Sequence, residues 1–219
     1  MARRTKEDAL ATRHSLLDAA ERVFSEKGVS RSSLNDIAVA AGTTRGAIYW
    51  HFKDKADLFN AMMDRVTLPM EEALQQMGRE PGRDPLDDLR RATLDVLHKM
   101  TQDPTTQRVF EVASYKVEYV GEALAIKGRH LEARQDCMAE MTRSLQAAAE
   151  MRGVTLRLPV QAAVIGLHAL LDGLIQNWLL SPEDFDVVRI GEQAMDTYLA
   201  GLGFAHPATG SHQRPDVLS

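Results

Sequence analysis

Residues 33–52 read SLNDIAVAAGTTRGAIYWHF, and the rest of the chain is best read outward from this stretch. Ala38, Gly42 and Ile48 fall at relative positions 0, 4 and 10. A small residue there lets two helices approach, a glycine supplies a left-handed turn, and a branched apolar residue anchors the second helix. The spacing predicts a helix-turn-helix, with short helices over 34–41 and 45–51. Leu34, Ile37 and Ala41 complete the buried side of the first of them.

A longer helix over 6–27 precedes the pair, and Leu16, Ala20, Val23 and Phe24 give it a facing apolar stripe. Phe52, Leu58 and Phe59 close the core from the other side, so residues 1–54 are predicted to form one small module. Its polar side chains suit DNA, because a recognition helix aims the residues of its N-terminal end at base edges. Arg45 can grip a guanine bidentately, and Thr43 and Thr44 can meet a thymine methyl or a phosphate. Gly46 costs a helix about 1 kcal/mol relative to alanine, which close approach of another surface would explain. Tyr49, His51 and Lys55 can donate to phosphates, and Ser33 at the first helix start completes the candidate set. Trp50 fits either a groove wall or the core. Arg3, Arg4 and Lys6 form either a flexible basic arm on phosphate or a solvated terminus.

The remaining sequence predicts an all-α fold. Further helices are expected near 55–77, 85–101, 104–118, 121–152, 159–180 and 184–203. Thr5 with Asp8, Ser33 with Asp36 and Asp54 with Asp57 have the spacing of capping boxes. Asp84-Pro85, Asp103-Pro104 and Ser181-Pro182 place a cap ahead of a proline whose missing amide hydrogen costs nothing at a first helical position. Pro69 should kink or interrupt its helix, Gly78 with Pro81-Gly82 should end it, and Gly153 should close the long helix before it. Residues 55–204 read as a second, larger helical domain, and 205–219 as a disordered polar tail.

Composition narrows the function classes. The 219 residues carry a net charge of −5, yet residues 1–60 hold ten Lys/Arg against eight Asp/Glu, and the remainder 16 against 23. Phosphate attraction is local, so an acidic chain can still present a basic end. The single cysteine, Cys137, excludes an internal disulfide, and no secretory signal opens the sequence, so a cytoplasmic protein is expected. The apolar run 160–180 is broken by polar residues and reads as a buried helix rather than a membrane span. His168, Asp172 and Gln176 recur on it every four residues as a polar stripe. A buried carboxylate needs a partner, so Asp172 is expected to meet either a bound ligand or an internal partner. The seven histidines are scattered and no glycine-rich phosphate loop occurs, so a helical enzyme is the weaker alternative. No catalytic group, metal or cofactor is expected.

The motifs MARRTKEDALATR and TTRGAIYWHFKDKADLF resemble the TetR family of repressors, especially its AcrR/TtgR subgroup of multidrug efflux repressors. SYKVEYV and DGLIQNWLLSPEDFD resemble that subgroup more loosely. The resemblance implies a three-helix DNA-binding head on a larger helical domain that binds ligand and dimerises. It implies a homodimer that represses efflux genes from a palindromic operator and is released by a small hydrophobic or aromatic inducer. An activator, or a regulator of another operon, is the alternative within the same class. Thr44, Arg45, Tyr49, His51 and Lys55 match positions that touch DNA in relatives, whereas Thr43 stands where close relatives usually have valine. For the ligand, the resemblance and the surrounding helices point to Val66, Met70, Val96, Met100, Phe110, Ser114, Cys137, Met141, Leu171 and Ile175, beside His168, Asp172 and Gln176. Flexible methionines would suit a cavity that accepts many shapes, although for any single Met or Leu ordinary core packing is the better reading. The family pairs through its last two long helices, which here carry Leu174, Trp178, Leu179, Met195, Tyr198 and Leu199.

Overall fold

The computed structural model describes residues 2–76, 82–119 and 121–205, with the side chains of 2–5 and 122 left undescribed. The loop expected at Gly78 to Pro81 and the tail from His206 onward lie outside those residues. Every regular element described is helical: α1 (Ala2–Lys27), α2 (Leu34–Ala40), α3 (Arg45–His51), α4 (Lys55–Gln76), α5 (Pro85–Gln102), α6 (Pro104–Tyr115), α7 (Leu124–Arg152), α8 (Val160–Leu180) and α9 (Val187–Leu202). A short 3₁₀ turn, Gly121–Ala123, leads into α7, where a helix start had been expected.

Helix starts follow the cap chemistry where the cap wins locally. Asp84 and Asp103 each accept from an amide two residues on, ahead of Pro85 and Pro104. At the start of α4 the Asp54 carboxylate accepts from the Asp57 amide at 2.8 Å, and the Asp57 carboxylate accepts from the Lys53 amide at 2.9 Å. Three expectations need correction. α1 begins at Ala2, so Thr5 is not its cap and Arg3, Arg4 and Lys6 ride on a helix rather than on a flexible arm. α9 starts at Val187 because the Asp186 carboxylate accepts from the amides of Val188 and Arg189, while Ser181-Pro182 opens a turn. α4 continues through Pro69 to Gln76 without interruption. α6 also stops early, at Tyr115, where the Lys116 carbonyl accepts the Val29 amide hydrogen at 2.9 Å.

Packing divides into three apolar clusters. The first joins Leu16, Phe24, Ile37, Ile48, Phe52 and Phe59 to Met62 and Val66 of α4, Val109 and Val112 of α6, and Ile126 of α7. The head core therefore runs on into the second half of the chain without a break. The second cluster gathers α5, α7, α8 and α9 around Leu89, Leu145, Leu167 and Met195. The third seats Leu97 and Met100 of α5 against Trp178 and Leu179 of α8. Among the described residues α8 is the one helix long and apolar enough to cross a membrane, but Ala163, Val164, Leu167, Trp178 and Leu179 bury one side of it within the chain.

This packing revises the expected pairing surface. Trp178, Leu179, Met195 and Leu199 are all buried within their own chain, and Leu174 and Tyr198 are half-buried. The exposed face of α8 instead carries Ile165, Ala169 and Leu180. Apolar periodicity marks a face to be covered, not which neighbour covers it.

Helices α8 and α9 meet at Gly166, where an added β-carbon would overlap the Tyr198 hydroxyl. That hydroxyl donates to the Ala163 carbonyl at 3.0 Å, so the ring cannot swing away without breaking this bond. Gly166→Ala is expected to destabilise the chain by about 1–3 kcal/mol. A urea midpoint equal to that of the parent would contradict the close contact.

Candidate nucleic-acid interface and ligand region

The turn between α2 and α3 is built from the backbone outward. Gly42 sits at φ +67, the left-handed region open to glycine, and the Thr43 amide donates back to the Ala38 carbonyl at 2.9 Å. Thr44 caps α3 by accepting from the Ala47 amide at 3.2 Å. Ile48 and Phe52 are then pinned in the core, and Ala38 is buried at the helix crossing. With one side anchored, α3 turns Arg45, Gly46, Tyr49 and Trp50 outward.

Trp50 is 74% exposed, so its core reading fails. Its indole stands edge-on to His51, with centroids 4.7 Å apart. The Arg45 guanidinium lies 5.6 Å from the Tyr49 ring centroid, which pre-orders both side chains without using the guanidinium's hydrogens. A β-carbon at Gly46 would meet only Thr44 Oγ1, at 3.9 Å. Among the described residues nothing requires glycine there. His51 is half-buried, and desolvation followed by the charge of Arg13 pulls its pKa below the ordinary 6.5. Arg13 itself lies 5.0 Å over the Phe52 ring. No spacing rule in the sequence pointed to Arg13, because it reaches α3 from another helix.

Two expected contacts are partly committed elsewhere. Lys55 Nζ donates to the carbonyls of Ser30 and Ser32 at 3.3 and 3.0 Å, tying down the loop before α2. The Ser33 hydroxyl donates to Asp36 Oδ2 at 2.6 Å and accepts from the Asp36 amide at 3.1 Å. The Ser33 hydroxyl bond, then the Ser33 amide donating to Asp36 Oδ2 at 2.9 Å, then Lys27 at 3.2 Å lower the Asp36 pKa to about 2. A depressed carboxyl stabilises the fold above its unfolded pKa and loses that contribution as pH falls through the folded value. The capping box should therefore persist at pH 4 and open near pH 2. An amide-shift titration of Ser33 and Asp36 with its midpoint at 4 would contradict it, and Ser33→Ala should move the midpoint upward.

The polar stripe of α8 differs from its expected setting. Asp172 and Gln176 are exposed and only His168 is half-buried, so Asp172 needs no internal salt bridge. Gln176 Nε2 donates to Asp172 Oδ2 at 2.9 Å. Tyr115, absent from the sequence-based set, donates its hydroxyl to the Gln176 carbonyl, and burial and then the charge of Asp172 push its pKa up. The pKa of His168 is lowered, chiefly by burial, with Arg134 and His130 acting in the same direction against Asp172.

The apolar candidates separate. Val96, Met100, Phe110 and Ile175 come together in the third cluster. Cys137, Met141 and Leu171 lie in the second, and Val66 in the first. Met70 is half-buried on α4 and Ser114 is exposed. The thiol of Cys137 is pushed up, mainly by burial, as suits a packing residue rather than a nucleophile.

Residues 16–62 match the family model described as bacterial regulatory proteins, tetR family. Residues 84–204 match that of the MAATS-type transcriptional repressor, C-terminal region. The transcriptional regulator TtgR of Pseudomonas putida is 37% identical over 199 residues, covering 91% of this chain and 95% of the relative. The structure of NalD, the secondary repressor of the MexAB-OprM multidrug efflux pump in Pseudomonas aeruginosa, superposes with a TM-score of 0.81 at 35% identity, covering 89% of this chain and 97% of that one. The complex of SmeT, the repressor of the Stenotrophomonas maltophilia efflux pump SmeDEF, with triclosan gives a TM-score of 0.78 at 32% identity, covering 94% and 100%.

Proposed function

The chain belongs to the tetR family of bacterial regulatory proteins, and from that membership we propose that it is a homodimeric repressor of a multidrug efflux operon, released from its operator by a hydrophobic or aromatic small molecule. The observation that carries the DNA-binding half is the two-sided α3: Ile48 is sealed in the core while Arg45, Tyr49 and Trp50 project outward. Thr43, Thr44, Arg45 and Gly46 enter the major groove, Arg45 reading a guanine and Trp50 lying along the groove wall. Tyr49, His51, Ser33 and the remaining ammonium hydrogen of Lys55 hold phosphates. The protein works in the cytoplasm, where the operator is.

The exposed face of α8, with Ile165, Ala169 and Leu180, supports pairing of two chains. Two heads then read a palindrome whose half-sites lie one helical turn, or a multiple of it, apart. For the inducer, the cluster of Val96, Met100, Phe110 and Ile175 supplies an apolar wall, and the neighbouring α8 carries polar Asp172 and Gln176. The relative SmeT forms a complex with triclosan, which is a molecule of that character. Release requires that the inducer bind the DNA-incompetent setting of the heads more tightly than the competent one.

The test is a binding isotherm on DNA from upstream of the gene for this chain, with and without triclosan. Tight, salt-sensitive binding that weakens as triclosan is added is expected. Absence of specific DNA binding would overturn the first half, and affinity unmoved by triclosan or other hydrophobic antibiotics would overturn the second.

A further inference from the structure

Glu21 lies on α1, outside the DNA-facing surface, and is 3% exposed. Its two carboxylate oxygens serve two different helices. Oε1 accepts from Arg108 Nε of α6 at 2.5 Å, and Oε2 accepts from Arg65 Nη2 of α4 at 3.1 Å. Arg65 also reaches Asp18 of α1 through Nη1 at 2.6 Å, while its buried Nε has no partner, so the two Nη groups carry the link. A carboxylate this deeply buried is tolerable only while cations face it. Displacing either arginine leaves it undercompensated, so the energy rises steeply with small movements.

The same seam is closed a second time by the bond from the Val29 amide to the Lys116 carbonyl. Between the two ties, α6 carries Phe110, which packs both against the cluster holding the head core and against the cluster of Val96, Met100 and Ile175. One short helix thus touches the ligand region on one side and grips α1 on the other.

We propose that Glu21, through Arg65 and Arg108, is a positioning residue that fixes the setting of the DNA-binding head on the helices behind it. The proposal rests on the reading that two heads bind a palindrome together, where a loosened head lowers the effective concentration of the second contact. It requires that the head itself stay folded when the tie is cut.

The test uses the full chain with Arg108→Gln and Glu21→Gln, and Arg108→Lys as the charge-retaining control. Amide exchange reads the seam directly. The Val29 amide should exchange roughly tenfold faster in both glutamine variants, while the Phe52 amide, bonded to Ile48 within the head, keeps its rate. Arg108→Lys should restore most of the Val29 protection. On DNA, affinity for an isolated half-site should be unchanged and affinity for the palindrome should fall by roughly tenfold.

Unchanged Val29 exchange in both glutamine variants overturns the proposal. So does acceleration of Val29 and Phe52 together, which would make Glu21 a general stability element. Faster Val29 exchange with unaltered palindrome affinity also overturns it. If the parent chain binds no palindrome, the functional reading fails, and the exchange data still decide whether the ionic tie holds the seam.

Discussion

Arg45→Ala is expected to weaken operator binding by roughly 5- to 150-fold, the equivalent of about 1–3 kcal/mol for a bidentate base contact, with no change in the unfolding midpoint. The residue is exposed, and its aromatic partner, Tyr49, is exposed too. Truncation therefore removes little folded-state packing. The loss should fall mainly on one base position of the operator, relaxing discrimination there, whereas loss of a phosphate contact weakens all sequences alike. Fluorescence anisotropy at fixed salt, on the operator and on single-base variants, separates the two. A uniform loss across all sequences would move Arg45 from the base edge to the backbone.

The second large effect comes from the opposite side of the same helix. Ile48→Ala should cost about 2–5 kcal/mol of stability, a large share of the roughly 5–15 kcal/mol that keeps a domain folded. Ile48 is fully buried among Leu16, Phe24 and Ile37, so truncation leaves a cavity rather than a solvated notch. α3 has only seven residues, and a helix that short does not persist in water without tertiary packing. DNA binding and head stability should therefore be lost together, unlike in Arg45→Ala. Ile48→Val, losing one methylene, should cost about 0.5–1.5 kcal/mol. Denaturant unfolding checks both values, and a midpoint for Ile48→Ala within error of the parent would show that α3 is held by something other than this anchor.

The head was legible in the sequence because its determinants are local. The glycine at φ +67, the Ser33–Asp36 capping box and the apolar positions facing inward all act within a few residues of one another. The ligand region was legible only in part. Val96, Met100, Phe110 and Ile175 do converge, but Asp172 is exposed where burial had been expected, and Tyr115 was missed. Tyr115 meets Gln176 across 61 positions of sequence, a separation at which no periodicity carries information.

What the sequence determined by itself is the helix-turn-helix and the all-α class, since backbone conformation, caps and 3.6-residue periodicity are short-range properties of the chain. Tertiary structure decided which apolar faces were already covered: Trp178, Leu179, Met195 and Leu199 went to the chain's own core and left Ile165 and Leu180 outside. It also decided where charges met. Glu21, Arg65 and Arg108 come from three helices, and only their packing brings one carboxylate between two guanidinium groups. Hydrophobic burial is non-directional, so its pattern shows that a face will be covered without naming the partner; the fold supplied the partners.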